Sequence, residues 1–478
     1  MKKKLISKVL LSSLIMGGVF VKTSLAGETP EELKAQIEAL KQQIAVMQQQ
    51  MASMQTLIEN LQGKVNQVET KTEKLTPQFV AKDSKPVFGK PGLEWQLYGR
   101  VKMDYHYDTA RIEYYNDFVG AVKNRWSASY NATAGTWKPS FNRDYQNDST
   151  NFNPRDTRLG TLVYQKRGDW IVKGQTEIDF YGYNSGNNII PRMRLAYVDI
   201  YNSKTKTSLL FGQDWIPVSQ LNPSTIEFGI LTAAGNLWWR VPQLTIRQKV
   251  FENWELLGSL MMHRRISTSS EERMPWALAR IQYKDGILNK IFDKGSMIAI
   301  GGGYKHEAIK PTEDYFSKSI IPLLKFKNDK DIDRWLLCGE WLFNFKLFEQ
   351  KFQFKGEAWT GQGIDKEWLR YDLGYNVYGE PIEAYGMWAD LVWNINPRLS
   401  FTIGAGFDDP NDKEILKGII PQALNDRQFT KNTQYFANLW YKLSDNMSIG
   451  VEVMHIETER DKWVDTANRF TLSAFYNF

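Results

Sequence analysis

Two periodicities divide the chain. From Leu33 to Leu75 apolar residues recur at alternating spacings of three and four: Leu33, Ile37, Leu40, Ile44, Met47, Met51, Met54, Ile58, Leu61, Val65, Val68 and Leu75, with Thr72 the polar break. So narrow a stripe, in a segment otherwise rich in Gln, Glu and Lys, cannot build a globular core by itself and needs partner helices. Residues 27–75 are therefore predicted to form an α-helical coiled coil that joins copies of the chain. Thr29 as cap, Pro30 at the first helical position and Glu32 mark its start. Over 76–92 the pattern stops, and Pro77, Pro86, Gly89, Pro91 and Gly92 read as an extended linker.

At Leu93 the period becomes two. Leu93, Trp95, Leu97, Val101, Met103 and Tyr105 alternate with Glu94, Gln96, Arg100, Lys102, Asp104 and His106, as in a strand with one oily and one wet face. The alternation returns around Arg158, Trp170, Arg192, Leu209, Gln243, Trp254, Trp276, Met297, Trp335, Phe352, Tyr385, Leu399, Thr433, Met447 and Phe470. About sixteen antiparallel strands are expected, an even number that suits an all-β transmembrane barrel over 93–478. Connections alternate in length. Short turns (166–169, 202–204, 394–397 and 444–446) are expected on the periplasmic side and long polar segments (109–150, 307–333, 361–380 and 409–430) outside. In the last strand Phe470, Leu472, Ala474, Tyr476 and Phe478 alternate to a terminal aromatic residue, resembling the signal by which bacterial barrels are assembled in the outer membrane.

Composition agrees with a barrel rather than helical spans. The chain carries 17 Trp, 22 Tyr and 25 Phe, yet its mean hydropathy is −0.45. Beyond residue 26 no apolar run approaches the roughly 18 residues a membrane helix needs. Residues 1–26, with Lys2, Lys3, Lys4 and Lys8 before an apolar stretch and Ser24-Leu25-Ala26 as cleavage site, read as a secretory signal. Removing them takes five lysines from a net charge of +6 and leaves +1, so nothing points to nucleic acid. Cys338, the single cysteine, has no disulfide partner within the chain and is expected to be a packing residue.

A channel selects by its bore and by the charges that line it. Arg100, Lys102, Arg158, Lys173, Arg192, Arg194, Arg240 and Arg247 fall early in the barrel, several on the polar phase, and are the candidate pore-lining residues with a lean towards anions. Glu94, Asp104, Glu177 and Asp179 share that wall and set the opposing expectation, plain pairing of neighbours. The stretch from Trp215 to Trp239 follows the fifth strand without alternation. Gln220, Asn222 and Glu227 in it are candidates for a constriction, and an external cover is the alternative. No catalytic set, cofactor motif or metal spacing is found: His106, His263, His306 and His455 are scattered, and the acids Asp408, Asp409, Asp412 and Glu414 lack a calcium-loop spacing. Gly301-Gly302-Gly303 reads as a strand where side chains must stay small.

The chain resembles the DcaP-like trimeric porins of Gram-negative outer membranes. The motifs that carry the resemblance are the heptads, 97–104 (LYGRVKMD), 174–180 (GQTEIDF), 192–197 (RMRLAY), 210–215 (LFGQDW) and 243–247 (QLTIR). It implies a periplasmic coiled coil, a homotrimer embedded in outer-membrane lipid and lipopolysaccharide, and passive diffusion of small hydrophilic solutes with a preference for anions such as dicarboxylates. Rival readings are a tether reaching towards peptidoglycan, with the barrel as anchor, and a barrel enzyme.

Overall fold

The computed structural model describes residues 93–478 except 113–118, 132, 135, 183–188, 263–273, 313–320 and 372. The expected signal, coiled coil and linker lie outside the described residues, as does His263.

The wall begins with β1 (Leu93–Asp108), and the first long connection carries a hairpin, β2 (Trp126–Asn131) and β3 (Thr136–Phe141). Then follow β4 (Ser149–Asn153), β5 (Arg158–Arg167), β6 (Trp170–Gly182), β7 (Ile190–Asn202), β8 (Thr207–Trp215), β9 (Arg240–Lys249), β10 (Trp254–Met261) and β11 (Trp276–Lys284). The second half comprises β12 (Asp293–Ile309), β13 (Lys330–Leu347), β14 (Gln350–Gln362), β15 (Glu383–Asn396), β16 (Leu399–Pro410), β17 (Lys431–Lys442), β18 (Met447–Arg460) and β19 (Trp463–Asn477). β4 and β5 are two halves of one wall strand, because β1 pairs with β5 over Leu93–Arg100 and with β4 over Asp104–Asp108. Counted so, sixteen antiparallel strands form the wall.

The barrel closes where β1 meets β19, from Arg100 opposite Asn477 to Asp108 opposite Arg469. The chain's last residue completes this seam: Phe478 N donates to Gly99 O (3.1 Å) and Gly99 N donates to Phe478 O (3.0 Å). Closure leaves no open edge to pair with another chain.

The period of two becomes two surfaces. Trp95, Leu97, Val101 and Met103 on β1, Leu244 and Ile246 on β9, Ile298 and Ile300 on β12, Val451 and Val453 on β18, and Phe470 and Leu472 on β19 are exposed outward. A continuous apolar exterior of this kind requires apolar surroundings. Inward positions alternate with them, among them Lys102, Asp104, His106 and Asp108 on β1, all buried.

The interior is not polar throughout. Trp359 (β14), Trp388 (β15), Phe436 (β17) and Met454 and Ile456 (β18) also point inward and are buried. Their cover comes from residues 216–239, which pack Ile216, Val218, Leu237 and Trp238 in one apolar cluster with Trp359 and Leu336, and Leu231 and Ala234 in another with Trp388 and Phe436.

Candidate functional site

The segment between β8 and β9 lies inside the barrel, where it must satisfy its own backbone polar groups. Four inward carboxylates do this. Glu340 on β13 accepts from Gln220 N and Leu221 N, both at 2.7 Å. Glu357 on β14 accepts from Leu237 N (3.1 Å) and the Ser219 hydroxyl (2.5 Å). Asp390 on β15 accepts from Ser224 N (2.6 Å), and Glu452 on β18 from Ile226 N (2.7 Å) and Glu227 N (3.0 Å). Donors serve the loop's carbonyls in turn: Asn432 and Gln434 donate to Ala233 O (2.8 Å) and Thr232 O (3.0 Å), and Trp359 Nε1 to Gly235 O (2.9 Å).

Glycine permits this close approach. A Cβ on Gly406 of β16 would collide with the Ala234 carbonyl, and one on Gly235, whose φ is +93°, with the backbone of Met387. A Cβ on Gly301 of β12 would press on Val218 of the segment, whereas at Gly302 and Gly303 it would meet the neighbouring strands, at Leu336 and at Ala277 and Leu278.

The residues expected at a constriction all lie in this inserted segment. Gln220 is exposed, and Asn222 gives its carbonyl to Lys355 Nζ. Glu227 is buried instead, accepting from Val119 N (2.8 Å) and Gly229 N, with Arg469 Nη1 at 3.4 Å. Its carboxylate organises the underside of the loop.

The eight candidate cations are distributed over β1, β5, β6, β7 and β9. Asp156, brought inward by the break between β4 and β5, gathers three of them: Arg100, Lys102 (3.2 Å) and Arg158 (2.9 Å). Lys102 also donates to Ile226 O (2.8 Å), which ties this wall to the loop. Arg192 forks onto Asp179 through Nε (2.9 Å) and Nη2 (2.6 Å), and Arg194 bridges Glu177 (2.5 Å) and Asp179 (3.0 Å). Lys173 donates to the Tyr197 hydroxyl at 2.8 Å, and Arg247 stands 4.0 Å from Asp214. Arg240, at the start of β9, lies among Trp215, Trp238 and Trp239. Pairing is therefore extensive, yet several cations keep an open side: the side chains of Arg100, Arg158 and Arg247 are 24, 23 and 22 % exposed.

The outer loops add ties of their own. Arg370 forks onto Asp408 (2.7 and 2.6 Å), so one member of the acidic run 408–414 is a buried partner. Asn411 caps the helical turn Asp412–Ile415 by accepting from Lys413 N. Lys417 binds Glu380 at 2.7 Å, and that bond holds the Glu380 carboxyl below the ordinary carboxylate range. Cys338 is buried among apolar neighbours. His106 bonds the Thr471 hydroxyl (3.0 Å), His306 bonds Asp333 (2.9 Å) and His455 bonds Asn468 (2.8 Å) and Glu457 (3.1 Å), on three separate strands.

No protein-family model and no curated protein matches this chain. Solved structures do. The outer membrane channel DcaP of Acinetobacter baumannii superposes with a TM-score of 0.60 at 22% identity, over 82% of this chain and 99% of that one. OprB of Pseudomonas putida matches with a TM-score of 0.51 at 7% identity, over 80% of this chain and 94% of that one. The resemblance drawn from the strand motifs thus extends to the fold of the whole barrel.

Proposed function

We propose that the chain is an outer-membrane porin, a passive diffusion channel for small hydrophilic solutes that leans towards anions and works as a homotrimer. The observation that carries this reading is the asymmetric interior: a closed barrel with an apolar outside, a segment fastened inside it mainly to the carboxylates of β13–β18, and partly exposed arginines on β1, β5 and β9. Such a layout narrows a bore and leaves guanidinium groups among the charges a solute meets. The heptads of 33–75 support association of copies of the chain in the periplasm, the number three follows from the likeness of the barrel to trimeric porins, and the terminal aromatic strand supports delivery to the outer membrane. The fold likeness to an outer membrane channel agrees with this reading.

Single-channel recording of the purified full chain in a planar bilayer across a KCl gradient tests it. Stepwise openings, grouped in threes, with a reversal potential of the sign set by chloride are the expected result. A folded barrel that stays silent overturns the channel reading and favours an anchoring role for the coiled coil.

A further inference from the structure

The basic wall holds more positive charge than its own acids neutralise, and the part of the surplus that is buried without any ion-pair partner among the described residues sits at Arg240. Arg100, Lys102 and Arg158 share Asp156, and Lys102 also has Asp104 at 3.1 Å. Arg192 and Arg194 share Glu177 and Asp179. Arg240 is only 3% exposed, no carboxylate among the described residues pairs with it, and its Nη1 is buried without an acceptor. Its guanidinium carbon lies 4.8 Å from the Trp215 ring centre, 5.1 Å from Trp239 and 5.5 Å from Trp238. Arg158, Arg192 and Arg194 are among the charged groups that act on it, and the acid that opposes them, Asp179, already accepts from Arg192 on both oxygens and from Arg194 on one.

Indole faces attract a cation but offset only part of what is lost when a guanidinium leaves water. Three neighbouring arginines raise that cost further, and a buried charge without a partner is the costliest arrangement a fold can keep. The missing component is a negative charge. We infer that Arg240 and Arg192 form the seat of a bound small anion, a halide or the carboxylate end of a larger solute. Arg192 supplies the route, because its side chain is 12% exposed and it too stacks on Trp239, at 5.5 Å. The enclosure by Trp215, Trp238 and Trp239 limits the occupant to a group of that size, and the fork of Arg240 is free to bind it. The site does not depend on conduction; a silent barrel would hold the anion equally well.

The test compares thermal unfolding of the full chain in detergent in sodium bromide and in the sodium salt of a bulky sulfonate, at equal ionic strength so that screening is matched. Bromide should raise the midpoint saturably by about 3 °C, as expected for a ligand that binds only the folded state. Arg240→Gln should abolish the bromide-specific rise, and Arg240→Lys, which keeps the charge and loses the fork, should retain a weaker one. Equal midpoints of the unsubstituted protein in the two salts, or a full bromide effect in Arg240→Gln, overturn the site. Should the Gln variant not fold, anomalous scattering from bromide in crystals of the unsubstituted protein decides: density within hydrogen-bond reach of Arg240 supports the site and its absence there refutes it. Neither readout involves current, so loss of the channel reading leaves both intact.

Discussion

The wall formed by β1 and β5–β9 and the wall formed by β13–β18 are both charged inward, with opposite signs and opposite uses. On the first, Arg100, Arg158 and Arg247 pair with acids through part of their donors and remain between 22 and 24 % exposed. On the second, Glu340, Glu357, Asp390 and Glu452 are at most 3% exposed, covered by the inserted segment, and each accepts from at least one of its backbone N–H groups. Counting charges would make this interior nearly balanced. What differs is availability: a carboxylate buried under the segment that it fastens meets no passing ion, whereas a guanidinium with one open side does. In the proposed channel, the anion lean follows from where the loop lies.

The largest effect is expected from breaking the acidic wall's structural role. Glu340→Ala orphans two backbone N–H groups and leaves Arg280, which donates to Glu340 through Nε (3.0 Å) and Nη2 (2.8 Å), as an unpaired buried cation. Removal of one partner from such a pair costs about 3–5 kcal/mol. The thermal midpoint of the folded barrel on heat-modifiability gels should fall accordingly, and the channel should become noisier as the segment loosens. Unchanged stability would mean that Glu340 is not a fastening.

Next in size is reversal of the open charges. Replacing Arg100, Arg158 and Arg247 together by Glu should move the reversal potential towards the cation side, with the chloride-to-potassium permeability ratio falling by about threefold or more, since the sign of the charges that line a bore sets which ion enters. An unmoved ratio would remove the basic wall from the permeation path.

The architecture of the two walls was legible in the sequence because inside and outside differ in polarity at every second residue. The strands, their inward phase at Arg100 and Lys102, and the irregular segment after the fifth strand could all be read from that period. The uses of the charges could not. An inward Glu that fastens a loop and an inward Glu that lines a bore have the same phase, and only the loop's position separates them. Glu227 was expected at a constriction and lies in the loop itself, buried because it accepts from Val119 N and Gly229 N. Trp359, Trp388 and Phe436 break the polar phase because the loop brings its own apolar cover. Of the small residues at Gly301-Gly302-Gly303, only Gly301 was a local trace of that approach. The break between β4 and β5, which delivers Asp156 to three cations, left no comparable mark, since Asn-Pro-Arg-Asp reads as an ordinary turn.

The smallest effect is the sharpest test of the comparison. Asp390→Asn keeps an oxygen to accept from Ser224 N and loses only the charge, whose nearest cation is Lys355 at 3.8 Å. Arg158→Gln likewise removes one charge, from a side chain that is 23% exposed. If availability governs selectivity, the Gln variant lowers the chloride-to-potassium ratio measurably, while the Asn variant leaves it within error and costs about 1 kcal/mol of stability or less. Should the two neutralisations instead move the reversal potential by equal and opposite amounts, the acids under the loop would be acting on the bore through the protein, and burial would not be what separates the two walls.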